Sequence, residues 1–273
     1  MTNPMLEKLI RFQRPEHTLP YARNLSVETL SGIFGTDEDH YRSVLNAFDV
    51  QRTAVAARLT ADPQVSAHLE KLPFERGARL VAIGESTTAD RLSWFEILRA
   101  TLETQRPDLE LSFANLAVAG ATSTQMLAAV PAIRRQTADW TFCMLGGNDS
   151  QRLGSPDGPQ LVTRQETLRN LTELRAQAIP GDDSHWVWVT PTPVDEPLVA
   201  AFPFFRDAGI VWTNADLSSL AAAILDMTDL AVDSTPAVAD VHAFTEDGLH
   251  LSIATQEALA ARVLQALSEG ELR

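Results

Sequence analysis

The chain has 273 residues, 45% of them apolar, which is enough for one large α/β domain or a smaller domain with an extension. Its 36 acidic side chains outnumber 22 basic ones, and no basic run interrupts the resulting charge of −14, which argues against nucleic acid and anionic membrane surfaces as partners. The one cysteine, Cys143 in the apolar run "WTFCML", reads as a small buried hydrophobe and rules out an intramolecular disulfide or a multi-thiolate zinc site.

The N-terminus "MTNPMLEKLIRFQRPEH" has no continuous apolar core and no small-residue cleavage site, so a cytoplasmic location is expected. No stretch approaches 18 apolar residues, so no membrane span is expected. Residues 1–76 read as a helical extension without strand signals. "SVETLSGIFG" predicts a short helix stopping at Gly35. Next, Tyr41, Val44, Leu45, Phe48, Val55 and Leu59 recur at helical spacing, with Thr36 as the expected cap. "PQVSAHLEKLP" is a further helix ending at Pro73. Such a stripe must be covered, either by the main domain or by a second copy of the chain, making a homo-oligomer through this extension one expectation.

From residue 77 strands and helices alternate. "ARLVAIG", "LSFANLAV", "DWTFCMLG" and "HWVWVTP" read as strands, with a last weak one near "AVADVH". Between them lie helical patterns over "RLSWFEILRATLE", "STQMLAAVPAIRRQ", "RQETLRNLTELRAQA" and "NADLSSLAAAILDM", and "ATQEALAARVLQALSEG" closes the chain. "AAFPFFRDAGIVW" reads as irregular. This order predicts a parallel sheet with helices on both faces, over one domain spanning 77–273. Functional groups of such sheets gather outside the carboxyl ends of the strands, so the residues just past each strand carry the most information. Here "GESTTAD", "AGATS", "GGNDS" and "EDGLH" occupy four such positions.

Taken alone, Ser86 in "VAIGESTTAD" is either a nucleophile or the polar cap of the next helix. Serine catalysis of ester hydrolysis needs a base within reach, a carboxylate that orients the base, and preorganised donors for the oxyanion. His250 in "TEDGLHLS" has Asp247 three residues before it, one turn away. Backbone N–H groups of Ser86 and Gly120 and the amide of Asn148 are the candidate oxyanion donors, and glycine at 120 would permit close backbone approach. Asp149 reads as a cap or turn former. His242, two residues after Asp240, is a rival base that no turn brings onto its acid, and His17, His40, His68 and His185 read as surface or core residues. No metal-binding pattern, nucleotide-binding glycine motif or GxSxG occurs.

The four blocks "GES", "NLAVAGAT", "GGND" and "DGLH" resemble, in content and order, those of the SGNH hydrolases, also called GDSL esterases and lipases. The resemblance spans roughly residues 78–268. It implies a flavodoxin-like, three-layer α/β/α fold around a five-stranded parallel sheet, with the helical extension outside the family's core. It further implies a serine esterase acting on a small-molecule ester through an acyl-enzyme, with Ser86, Asp247 and His250 catalytic, Ser86, Gly120 and Asn148 as oxyanion hole, and no cofactor. Glu85 and Thr87 depart from the family's Gly-Asp-Ser-Leu block, which puts the packing of the nucleophile turn in question. Acyl transfer to an alcohol and a catalytically silent assembly module are the alternatives. For the substrate, Arg152 is a candidate contact for an anionic group, and Phe204 and Phe205, with Phe202 and Trp212, a candidate apolar wall.

Overall fold

The computed structural model describes residues 4–18, 24–179, 184–240 and 242–270. Helices α1 (Pro4–Phe12), α2 (Pro15–Thr18), α3 (Val27–Ile33), α4 (Glu38–Thr60) and α5 (Pro63–Leu69) precede the first strand. Then come β1 (Arg79–Gly84), α6 (Ser86–Ala89), α7 (Trp94–Gln105), β2 (Ser112–Asn115), α8 (Ser123–Ala128), α9 (Val130–Arg134) and β3 (Trp140–Met144). The chain continues through β4 (Arg152–Leu153), α10 (Arg164–Ala178), β5 (His185–Val189), α11 (Glu196–Ala201), α12 (Pro203–Asp207) and β6 (Ile210–Val211). It ends with α13 (Asn214–Leu225), β7 (Leu230–Val232) and α14 (Ile253–Glu269). Among the described residues no helix is long and apolar enough to cross a membrane.

The main sheet has five parallel strands in the order β2-β1-β3-β5-β7. The three-layer fold expected from the alternation is therefore the observed one. Because strand side chains alternate between faces, each strand feeds two cores. Leu80, Ala82, Phe142, Met144, Val187 and Val189 pack with Trp94, Phe95 and Leu98 of α7 and Leu259, Val263 and Leu264 of α14. Their neighbours in sequence, Val81, Ile83, Cys143, Trp186 and Trp188, pack on the opposite side with Met126, Ile133, Leu171, Leu174, Leu220 and Ile224. Burial on both faces is why these strands are unbroken apolar runs.

Several local expectations need correction. The last strand is β7, ahead of "AVADVH"; residues 235–238 form a 3-10 turn instead, started by Pro236, which lacks the N–H a ladder needs. "AAFPFFRDAGIVW" is ordered as α12 and β6, and β6 pairs antiparallel with β4 in a small second sheet. α4 is capped by Asp37 rather than Thr36: its Oδ1 accepts the His40 N–H at 2.8 Å, and a carboxylate also suits the positive end of the helix dipole. α5 ends at Leu69, ahead of Pro73. Within the helical extension, residues 4–12 are expected to have no helix of their own, and they form α1, where Leu6 and Ile10, and Met5 and Leu9, stand four apart.

The extension is covered by its own chain. Val55 and Leu59 of α4 and Val65 and Leu69 of α5 join the core on the α7/α14 side. Tyr41, Val44 and Phe48 close over Ile10 and Leu92, and Leu45 packs against them half-buried. Arg58 on α4 also pairs with Glu257 on α14. Leu59→Ala is therefore expected to cost about 2–5 kcal/mol in urea unfolding, as for other buried leucines. A fragment of residues 76–273 should aggregate, since it bares the surface these side chains cover. A soluble fragment with the parent's melting temperature would contradict this.

Candidate active site

β1 ends at Gly84, and after the single residue Glu85 the chain turns into α6, whose first residue is Ser86. This is the topological switch point of the sheet: the chain passes from β1 to β2 on one side and then crosses back to β3 on the other. Ser86 is largely buried, with a helix-initiating N–H that has no partner within its helix. The Glu85 side chain runs under the turn, and its Oε2 accepts the Asn148 N–H at 3.0 Å. A Cβ on Gly147 would collide with Glu85 Oε1, so glycine at 147 admits the carboxyl. The Glu85 side chain thus reaches the "GGND" backbone. Burial pushes the Glu85 carboxyl up to about 8, against the lowering effect of backbone hydrogen bonds from Asn148, Gly147 and Gly146.

Asp247 and His250 lie in a tight loop before α14. Oδ1 of Asp247 accepts Thr245 Oγ1 at 3.0 Å, Leu249 N at 3.0 Å and His250 N at 2.9 Å. Oδ2 accepts His250 Nδ1 at 2.8 Å. An ionised carboxylate only accepts, so Nδ1 carries a proton here, and in the neutral ring Nε2 is then the nitrogen with the free lone pair. Asp247 is 1% exposed. Burial alone would raise its carboxyl, but hydrogen bonds and charge from His250, with a hydrogen bond from Lys8, outweigh that and hold it far below the usual carboxylate range.

The remaining candidates sit on the turns after β2 and β3. Gly120 has φ +81°, a left-handed conformation that favours glycine. No atom lies within 4 Å of where its Cβ would stand, so the requirement is this backbone conformation and not the expected close approach. Asn148 donates from Nδ2 to Ala121 O at 3.1 Å, which fixes which end of the amide points inward. Asp149 is buried and holds α8 and α10 together, accepting from Ser123 N at 2.9 Å, from Ser123 Oγ, and from Thr167 Oγ1 at 3.1 Å.

Ser86, Gly120, Asn148, Asp247 and His250 all line one pocket of about 390 Å³. Phe202, Phe204, Phe205, Ile210 and Trp212 form one wall of it, and Trp212 Nε1 donates to Gly147 O at 2.9 Å. Arg152 does not line it: its guanidinium forms a two-pronged pair with Asp216, at 2.6 and 2.8 Å, and the anionic-substrate contact expected there is not built. His242 is exposed and away from the pocket. The other wall was missed from sequence. It is α1, through Met5, Lys8, Leu9 and Phe12, and the Phe12 ring lies 4.4 Å from the His250 ring. The four-residue spacing in α1 was a signal for a helix, but nothing local places that helix over residues 247–250.

A model of the GDSL-like Lipase/Acylhydrolase family matches residues 82–258, well over half of the chain. The chain belongs to this family. As a GDSL-like protein it is a serine ester hydrolase, and α1 to α5 lie outside the matched residues. Among solved structures it is similar to Axe2, an acetylxylan esterase from Geobacillus stearothermophilus, with 20% identity over 73% of this chain and 98% of that one, at a TM-score of 0.56. It is also similar to LAE5, an alpha/beta hydrolase enzyme from the metagenome of Lake Arreo, Spain, with 19% identity over 71% and 96% of the two chains and a TM-score of 0.52. At these identities the likeness is one of fold. Comparison with curated proteins returns no match.

Glu85 carries a pH signature. Between the ordinary carboxyl range and pH 8 the unfolded chain has released this proton while the folded chain keeps it, so stability falls as pH rises through that window, by at most about 1.4 kcal/mol per pH unit. Urea unfolding at pH 5.5, 6.5 and 7.5 should show this decline. Glu85→Gln, which stays neutral, should lose that component of it. An identical slope in both proteins would show that Glu85 is already ionised in the fold.

Proposed function

We propose that the protein hydrolyses a carboxylic ester through an acyl-enzyme formed on Ser86. Ser86 Oγ attacks the ester carbonyl while His250 Nε2 takes its proton, and Asp247 holds the imidazole in the tautomer this requires. The Ser86 and Gly120 N–H groups and the Asn148 amide donate to the oxyanion. Collapse of the tetrahedral intermediate releases the alcohol, which takes the proton from His250, and water repeats the sequence to free the acid. The observation that carries this reading is the hydrogen-bonded Asp247–His250 pair opening into the same pocket as Ser86, Gly120 and Asn148.

Steady-state kinetics on a soluble p-nitrophenyl ester, with melting curves alongside, tests the roles. Ser86→Ala and His250→Ala should each abolish turnover without unfolding the protein, and Ser86→Ala should lose labelling by a fluorophosphonate probe. His242→Ala should stay within about tenfold of the parent, as a residue outside the catalytic unit. Asn148→Ala should keep KM and lose about 10²-fold in kcat, the usual effect of removing one oxyanion donor. A fully active, well-folded Ser86→Ala enzyme would overturn the proposal.

The apolar walls favour an acyl or aryl group larger than acetyl, unlike the acetylxylan for which Axe2 is named. Each buried methylene is worth about 0.8 kcal/mol, or roughly fourfold in kcat/KM. Esters with six-carbon acyl chains should therefore exceed acetate by at least about tenfold. A series that peaks at acetate would point instead to small acyl groups.

A further inference from the structure

Among the described residues, Lys8 is the cation that pairs with Asp247 from outside its loop. Its ammonium lies 2.8 Å from Oδ2, the oxygen that also accepts His250 Nδ1, with Glu246 Oε1 at 3.3 Å on its outer side and the Phe202 ring 4.8 Å away. The lysine is 24% exposed and its partner 1%, so this is no solvated surface pair. The helix that carries it is firmly seated. Arg11 forks onto Asp90 at 2.8 and 2.6 Å, at the end of the nucleophile helix α6, and Arg14 donates to Ala89 O. Arg91 in turn donates from its backbone to Arg11 O and from Nε to Ile10 O. α1 is thus tied to the Ser86 turn at one end and to the His250 loop at the other. The residue type also fits. Of 22 basic side chains only Lys8 and Lys71 are lysines, so lysine is not the default cation of this chain.

We propose that Lys8 is a positioning residue of the catalytic relay: its ammonium holds Oδ2 of Asp247 against the His250 ring and shares the carboxylate's charge. This rests on the reading of Ser86, His250 and Asp247 as a catalytic triad. Among the described residues, the charged groups facing the imidazole are Asp247 on its own loop and Lys8 from α1, with Glu246 behind the ammonium. Because Lys8 and the ring share one carboxylate oxygen, the pH profile of turnover is the readout that a merely structural contact would leave unmoved.

The test compares wild type, Lys8→Met and Lys8→Arg in kcat/KM from pH 5 to 8 on a soluble p-nitrophenyl ester. Lys8→Met should move the acid limb upward by about 0.5–1 in pH, since Asp247 then acts on His250 alone. It should also lower kcat several-fold at its optimum, and Lys8→Arg should return the limb to within about 0.2 of wild type. A limb that does not move in folded Lys8→Met overturns the proposal, even if kcat falls, because a merely structural contact would do only the latter. NMR titration of the His250 ring in Ser86→Ala, with and without Lys8→Met, reads the same shift without turnover. An active Ser86→Ala enzyme would instead strike down the triad reading itself. If Lys8→Met does not fold, the charge is removed after folding. In Lys71→Arg, Lys8 is the one lysine left, and its carbamoylation by cyanate should move the limb upward to the same extent, while the lysine-free Lys8→Arg, Lys71→Arg chain should be unaffected. No shift in the carbamoylated enzyme counts against the proposal.

Discussion

A carboxylate as deeply buried as Asp247 has to find enough donors inside the protein to replace water, and that requirement shapes everything around it. Its Oδ1 gathers Thr245, Leu249 and His250 N–H and so winds the loop into one turn. Its Oδ2 takes the His250 ring and the Lys8 ammonium and so brings α1 onto the domain. With α1 come Met5, Leu9 and Phe12, which complete the pocket. Pairing this one charge therefore orients the His250 ring and adds a contact to α1, which the Arg11–Asp90 pair also holds.

The second buried acid of the site solves the same problem in the opposite way. Among the described residues Glu85 meets backbone N–H groups but no cation, so desolvation prevails and its proton is retained well above the ordinary range. A neutral carboxyl can lie flat under the Gly147–Asn148 turn without bringing a full charge to the place where an oxyanion would form. Asp247, by contrast, stays charged because a cation and an imidazole face it. Two carboxyl groups on one sheet edge are kept in different protonation states by what surrounds them.

The extension is as much a part of the site as of the core. α4 and α5 contribute Val55, Leu59, Val65 and Leu69 to the packing behind the sheet, while α1 contributes to the front. Family likeness begins only at residue 82, so the walls of the pocket are built partly from a segment the family model does not describe.

The sequence by itself determined the alternation of strands and helices, because burial on both faces writes unbroken apolar runs, and the five-stranded sheet is their consequence. It also determined the turns that carry Ser86, Gly120, Asn148 and the Asp247–His250 pair, since each lies within a few residues of a readable element. It misplaced the last strand, which has only three residues in β7, too few for a pattern, and it read α12 and β6 as irregular because five and two residues are too short for a period to show. Only the tertiary structure decided that Arg152 belongs to Asp216, that Glu85 reaches the Asn148 backbone, and that Lys8 meets Asp247 from 239 residues away. The reason is physical: periodicity and capping are local properties of a chain, whereas the partner of a buried charge is chosen by what the finished fold brings within reach.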